Sequence, residues 1–365
     1  MKKSQLVLDV ISKKNTSYLP SQCTFASRIK KMEVAEHLGL SEEGVDEYLG
    51  NHIKFTANLD DMIQVDKLDP YRMAAAREAG RIIDIPGEEG MVYDLWGMKY
   101  NVNDGGYFNY CHPLQGADED ESLIDNYKAP DISDMDTLFA IAEEDLKKYG
   151  DDFLVELSGY NGIWEKAYQL VEIEQFMYLL AVEPEKACKL MDIICEYKVE
   201  IAKETAKRGF PIGHYGDDLG TQISTFFSEE MFVNYFLPRI CKVFRVFKDA
   251  GIPVQMHSCG MITPFIPHLI DAGLDVLEPV QTCMDIRFLK DEYGKDLTFY
   301  GGIDTQQLLT FDTAEHVYEE TLRTIDILGK GGGLIIAPSQ EVMNNVPVGN
   351  VLAFMRAVKK ARGEA

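Results

Sequence analysis

The sequence predicts a (β/α)8 barrel, and three observations carry that expectation. From about residue 134 onward, short apolar runs alternate with helical stretches, which is the pattern of βα units. Each apolar run ends in glycine and polar residues, as expected where the carboxyl ends of barrel strands carry the chemistry. A doubly wound sheet also binds ligands at strand ends. However, no Gly-x-Gly-x-x-Gly opens a helix after a strand and no Gly-x-x-x-x-Gly-Lys-Ser/Thr is present, so the barrel is preferred.

In chain order, 21–25 and 53–57 supply the early strands. A loop-rich stretch at about 85–131, dense in Gly, Asp and Asn, is expected as an insertion or lid on a single domain spanning 1–365. Within it, 93–100 alternates like a strand or hairpin. The strand 153–157 precedes a glycine-rich turn and helices over 164–181 and 184–208. Strand 211–215 runs into Gly216-Asp217-Asp218-Leu219-Gly220 and a helix over 228–250. Strand 252–256 ends at His257-Ser258-Cys259-Gly260, with a helix over 264–272 behind it. Strands 276–279, 297–300 and 333–337 complete the series.

With 365 residues, 46% of them apolar, the chain can bury a substantial core. Its net charge of -24, from 60 acidic against 36 basic residues, argues against nucleic acid as a partner and suits solubility. Seven cysteines at irregular spacing are expected as reduced thiols, available to a metal. No secretory leader and no apolar run of about 18 residues is seen, so no membrane role is expected and the cytoplasm is the expected location.

His257 and Cys259 stand two apart at a strand end, so their side chains leave the same side while Ser258 points away. Imidazole nitrogen and thiolate sulfur together suit zinc with a position left open. Alone, the pair reads more simply as a hydrogen-bonded histidine beside a buried thiol. Glu278 ends the next strand, which is otherwise apolar, and a carboxylate facing the barrel there needs a charged or metal partner. His257, Cys259 and Glu278 are therefore the expected metal ligands.

Asp217 and Asp218 are adjacent, so only one faces the interior. One of them is expected to hydrogen-bond substrate or accept a proton, unless the turn merely caps a helix. His214, Tyr215 and Gln340 are expected substrate contacts. Glu165 and Asp304 are mouth carboxylates or helix-start charges. Tyr107, Phe108, Tyr110, Trp164, Tyr168, Phe226 and Phe227 would suit a flat aromatic substrate, or core packing.

The runs Gly216-Asp217-Asp218-Leu219-Gly220-Thr221-Gln222, His257-Ser258-Cys259-Gly260, Glu278-Pro279-Val280-Gln281, Phe299-Tyr300-Gly301-Gly302-Ile303-Asp304 and Ala337-Pro338-Ser339, in this order, resemble the uroporphyrinogen decarboxylase superfamily. They are more closely similar to its corrinoid-dependent methyltransferase branch. The resemblance covers the later part of the chain well and the early part loosely. It implies zinc on His257, Cys259 and Glu278, and a separate corrinoid (cobalamin) protein as partner. It also implies a distant cysteine near the end of the last strand, where Ser339-Gln340-Glu341 stands instead. Cys283 lies past its strand end, poorly placed to substitute.

Fewer thiolates leave the zinc a stronger Lewis acid. The expected reaction moves methyl from a small donor, an aryl methyl ether or similar, to the Co(I) of the corrinoid protein. The alternative is transfer from methylcobalamin to a thiol or tetrahydrofolate. Porphyrinogen decarboxylation fits poorly, since Ala26-Ser27-Arg28-Ile29-Lys30-Lys31 lacks the family's arginine-rich motif. A binding barrel without chemistry is the non-enzymatic reading, resting on Ser339.

Overall fold

The computed structural model of the chain describes residues 2–61, 63, 70–104, 108–159 and 161–364. Strand labels here follow chain order: β1 (Ile53–Thr56), β2 (Ile82–Asp84), β3 (Met91–Asp94), β4 (Lys99–Asn101), β5 (Leu154–Leu157), β6 (Gly213–Gly216), β7 (Val254–His257), β8 (Val276–Val280), β9 (Thr298–Ile303) and β10 (Leu334–Pro338).

Strands β6 to β10 form one parallel sheet in sequential order, and β1 pairs in parallel with β5. The segment 21–25 closes the ring. Ser21 bridges Ile336 of β10 in parallel, and the Ser21 carbonyl accepts the His52 N–H at 3.2 Å, leading into β1. On the other side the Gly216 N–H donates to the Gly159 carbonyl at 2.9 Å, joining β5 to β6. The eight parallel segments make the (β/α)8 barrel, with the extended stretch at 21–25 joined to its neighbours by isolated bridges at Ser21 and Phe25 and by backbone hydrogen bonds such as Gln22 N–H to the Ile336 carbonyl at 3.0 Å.

Side-chain alternation sorts the barrel interior into layers. At the amino end Ile53, Leu154, Ile212, Val276 and Ile335 pack around Val7 and Ile11. The amino-terminal helix Lys3–Ile11 thus plugs the barrel floor, a role with no local signature in its sequence. Each of Val7 and Ile11 is nearly inaccessible, and burying such a side chain stabilises by roughly 1.5–3 kcal/mol. Two residues further along β5, β6 and β7 come Glu156, His214 and Gln255, all buried. Above them stand His257 and Glu278, side by side because β7 and β8 pair them in register.

Two predicted helices are interrupted. The helix expected over 164–181 is two, Ile163–Val171 and Ile173–Val182. Between them Glu172 adopts φ 96°, and its carboxylate caps the second helix by accepting the N–H groups of Glu174 and Gln175. In the 228–250 stretch a π-helical turn, Phe232–Phe236, precedes the helix Leu237–Asp249. Pro238 at its start lacks an N–H, so the regular ladder cannot run through it.

Strands β2, β3 and β4 form a three-stranded antiparallel sheet that begins at Ile82, just ahead of the stretch 85–131, and the segment 93–100 expected as a strand or hairpin is a hairpin. Trp96 at its turn is buried, edge-on to Tyr197 at 4.8 Å, and the Lys166 ammonium sits 4.9 Å from its ring centre. Tyr127 Oη donates to the Trp96 carbonyl at 2.8 Å. These contacts bolt the hairpin to the helices that begin at Ile163 and Pro184. Tyr107, in the middle of the segment read as a lid, lies outside the described residues; Phe108 and Tyr110 are exposed. Among the described residues no helix is long and apolar enough to cross a membrane.

Asp94 in this hairpin accepts the Met98 N–H at 2.9 Å. Burial pushes its carboxyl up to about 6, against the pull of Lys166. A raised carboxyl costs the fold nothing below its unfolded value, and the cost grows as pH rises through the folded value. Asp94→Asn, which keeps an acceptor for Met98, is therefore expected to match the native stability below about pH 4 and exceed it by about 2–3 kcal/mol above about pH 6. Urea unfolding across that range checks this; parallel curves at all pH values would refute it.

Candidate metal centre

The turn after β7 is locked before any ligand is considered. The Ser258 N–H donates to the Glu278 carbonyl at 2.7 Å, and Ser258 Oγ accepts the Leu219 N–H at 3.0 Å. Gly260, at φ 90°, packs so tightly on Gly220 that an added Cβ would lie 2.3 Å from its carbonyl carbon. The β6 and β7 loops therefore touch backbone to backbone, and this brings Asp218 to the His257-Ser258-Cys259 turn. Asp218 Oδ1 accepts the Cys259 N–H at 2.8 Å and lies 3.4 Å from His257 Nε2. His257 Nε2 is in turn 3.6 Å from Cys259 Sγ.

Asp218, His257 and Cys259 thus present oxygen, nitrogen and sulfur donors within 4.8 Å of one another. A tetrahedral zinc with bonds of about 2.0–2.3 Å holds its ligand atoms about 3.3–3.7 Å apart. The 3.4 and 3.6 Å separations match that spacing, so the donor set fits zinc.

Glu278 takes a different place from the one expected of a ligand. Its Oε2 lies 2.5 Å from His257 Nδ1, which turns Nε2 toward Asp218 and Cys259. A carboxylate on the far nitrogen of a metal-binding histidine fixes its tautomer and raises its basicity. Burial alone would lower the His257 pKa, but Glu278 and Asp218 outweigh it and hold the imidazole well above its usual value. A metal must therefore displace a proton from Nε2. Asp218 is held below the ordinary carboxylate range, its burial outweighed by His257. Burial pushes the Cys259 thiol up while His257 pulls it back. Glu278→Gln is expected to weaken zinc binding roughly 10–100-fold while leaving one site per chain, measured by competition with a chromophoric chelator. An unchanged affinity would show that Glu278 does not orient the ring.

The other expected site residues divide. Asp217 is fully buried, and its carboxylate accepts the N–H groups of Trp164 (3.0 Å) and Glu165 (2.8 Å) and the Tyr215 hydroxyl (2.7 Å). Expected as a substrate-binding or proton-accepting group, it caps the helix Ile163–Val171 from across the barrel wall. Tyr215, expected as a substrate contact, is buried, its hydroxyl also accepting the Ile163 N–H at 3.0 Å, so it supports this cap. Asp304 accepts the N–H groups of Gln306, Gln307 and Leu308 at 2.9–3.0 Å and caps the short helix Leu308–Phe311.

His214 lies in the buried layer beneath the centre, its Nδ1 3.2 Å from Glu156 Oε1, which also accepts from Gln255 Nε2 at 2.9 Å. Sequence reasoning passed over Glu156; the signal was a glutamate in the otherwise apolar run 153–157. Burial, then the negative charge of Glu278, push it well above the carboxylate range.

Glu165, by contrast, lies close enough to Asp218 to feel its charge. Burial and the charges of Asp218 and Asp217 push its carboxyl up to about 8. Ser339 is buried at the end of β10, its N–H on the Ile303 carbonyl at 2.7 Å, while Gln340 reaches the centre with Nε2 2.7 Å from Cys259 Sγ. Gln281, missed in the sequence, donates to the same sulfur at 3.3 Å. Cys283 Sγ lies 4.0 Å from Gln281 Oε1, outside the donor triangle. Trp164 and Phe227 are buried in one aromatic cluster with Tyr168, Phe176, Phe226 and Phe236, so these rings serve the core.

Known proteins show the same arrangement of chain. A solved structure described as a methyltransferase from Methanosarcina mazei superposes with a TM-score of 0.68, covering 99% of both chains at 14% identity, a likeness of fold. A methylated-thiol--coenzyme M methyltransferase of Methanosarcina mazei is 25% identical over 227 residues, which is 60% of this chain. The match spans 57% of that relative's length. The uroporphyrinogen decarboxylase (URO-D) family model matches residues 91–361, which takes in β3 through β10 and the whole candidate centre, and the chain belongs to that family.

Proposed function

We propose that this protein is a zinc-dependent methyltransferase that moves a methyl group from a small methylated donor to the Co(I) of a separate corrinoid protein. The observation that carries the reading is the donor triangle of Asp218, His257 and Cys259, at zinc-ligand spacing and backed by Glu278. Only one thiolate is among the three. A zinc ion held there supplies Lewis acidity toward the atom that carries the methyl group.

The chain's own residues do the rest. Asp218 and Cys259 balance the ion's charge, and Glu278 holds His257 in the ligating orientation. Burial and the charges of Asp218 and Asp217 favour the protonated form of the Glu165 carboxyl, pushing it up to about 8. It is the group to hydrogen-bond the leaving oxygen as the methyl departs and the oxygen keeps the bonding pair. The aromatic residues packed into the core lend no support to a flat aromatic donor, so the donor is read as a small methyl ether. The relative's name favours a second reading, a methylated thiol as donor.

Mixing the zinc-loaded protein with a reduced corrinoid protein and a panel of methyl ethers and methyl thioethers tests both, with cobalt methylation followed by absorbance. Methylation from ethers is the expected result. Methylation from thioethers alone supports the second reading, and methyl flow only from methylcobalamin to a thiol or tetrahydrofolate overturns the proposed direction.

A further inference from the structure

We propose that Gln281 and Gln340 are sulfur-positioning residues that draw charge from Cys259 through two amide N–H bonds, adding to the effect of the chain's lacking a second thiolate. The inference rests on the metal-centre reading above.

Two loops converge on one atom. Gln281 follows β8, is 8% exposed, and donates from Nε2 to Cys259 Sγ at 3.3 Å. Its orientation is dictated by Oε1, which accepts the Gly260 N–H at 2.7 Å. Because that N–H needs an acceptor, the amide oxygen faces the turn and the NH2 must face the sulfur. Gln340 follows β10 and places its Nε2 2.7 Å from the same sulfur from the solvent side. It occupies the end of the strand where a cysteine is expected by resemblance.

A second thiolate would push charge onto the metal; two amide donors on the remaining thiolate pull charge away from it. The lack of the first and the presence of the second both leave the metal more electrophilic. The pair of glutamines thus extends, on the sulfur itself, the tuning that follows from Ser339-Gln340 standing where a cysteine is expected by resemblance. A leaving group poorer than a thiolate is the chemistry that benefits.

Cobalt(II) in place of zinc makes the metal–sulfur bond visible. The full chain is loaded with cobalt(II) and its sulfur-to-cobalt charge-transfer band is compared in the native protein, Gln281→Glu, Gln340→Leu and the double variant. Gln281→Glu keeps the acceptor for Gly260 but loses the N–H, and the exposed Gln340 can be changed without touching the core. Each single variant is expected to move the band to longer wavelength, because the sulfur lone pairs rise in energy, and the double variant to move it further. A merely structural role would leave the band of Gln340→Leu, which adds no charge, in place. An unmoved band in both single variants, with cobalt still bound through sulfur, overturns the proposal and leaves the metal centre standing. A native protein that binds cobalt with no such band overturns the metal centre and the proposal together.

Discussion

Cys259→Ala and His257→Ala are expected to abolish stoichiometric zinc and, with it, cobalt methylation. Each removes one of three donors in a triangle whose separations already match a zinc site. A lost ligand must cost more than the roughly 10–100-fold attached to an outer partner such as Glu278. Neither change should unfold the protein, since both side chains sit at a strand end above the packed layers and not within them. Elemental analysis of purified protein, with circular dichroism as the folding check, reads the result. Asp218→Asn should also lose metal, because an amide oxygen carries no charge to balance the ion. Full metal content in any two of these variants would remove the centre from consideration.

Asp217→Ala should unfold the protein more easily than any change at the centre, by about 3–5 kcal/mol. The alanine strands three donors at once, the N–H groups of Trp164 and Glu165 and the Tyr215 hydroxyl, in a place from which water is excluded. Each buried donor left without a partner costs about 1–3 kcal/mol, and the three do not add fully because they share one site. Asp217→Asn should recover part of the loss, its single carbonyl oxygen serving one or two of the three. Denaturant unfolding gives the size of the effect, and metal content gives the contrast, for the folded fraction of Asp217→Asn is expected to hold zinc where Asp218→Asn does not. A loss of metal equal in both would show that the two neighbours share one task.

The contrast between these adjacent aspartates shows where reading the sequence stopped. Period-two alternation makes clear that one of them faces away from the other, but not which loop each will meet. The helix start at Ile163 belongs to the previous βα unit, and its N–H groups reach Asp217 only because β5 and β6 lie side by side. The close approach of Gly220 and Gly260 then sends Asp218 to the β7 turn. Glu278 was legible as a carboxylate in need of a charged or metal partner, and was expected as a third metal ligand, since an isolated carboxylate in an apolar strand has to be neutralised. Its contact with Nδ1 and not with the metal face depends on the register of β7 and β8. Gln281 and Gln340 carry no charge and no periodic signal, so only convergence of their loops on one sulfur reveals them.

Some properties of this protein follow from the chain alone. Alternating apolar and helical runs, polar strand ends and the His-x-Cys spacing are local patterns, and they determine the barrel, the end that carries the site and the imidazole–thiol pair at its heart. Tertiary structure alone decided that Asp218 joins His257 and Cys259 in one donor triangle, the contact of Glu278 with His257 Nδ1, the capping role of Asp217 and the plugging of the barrel floor by Lys3–Ile11. The physical reason is the range of the interactions. Backbone geometry repeats over a few residues and can be read along the sequence, whereas the partner of a buried polar group is whatever the closed barrel brings within about 3 Å of it.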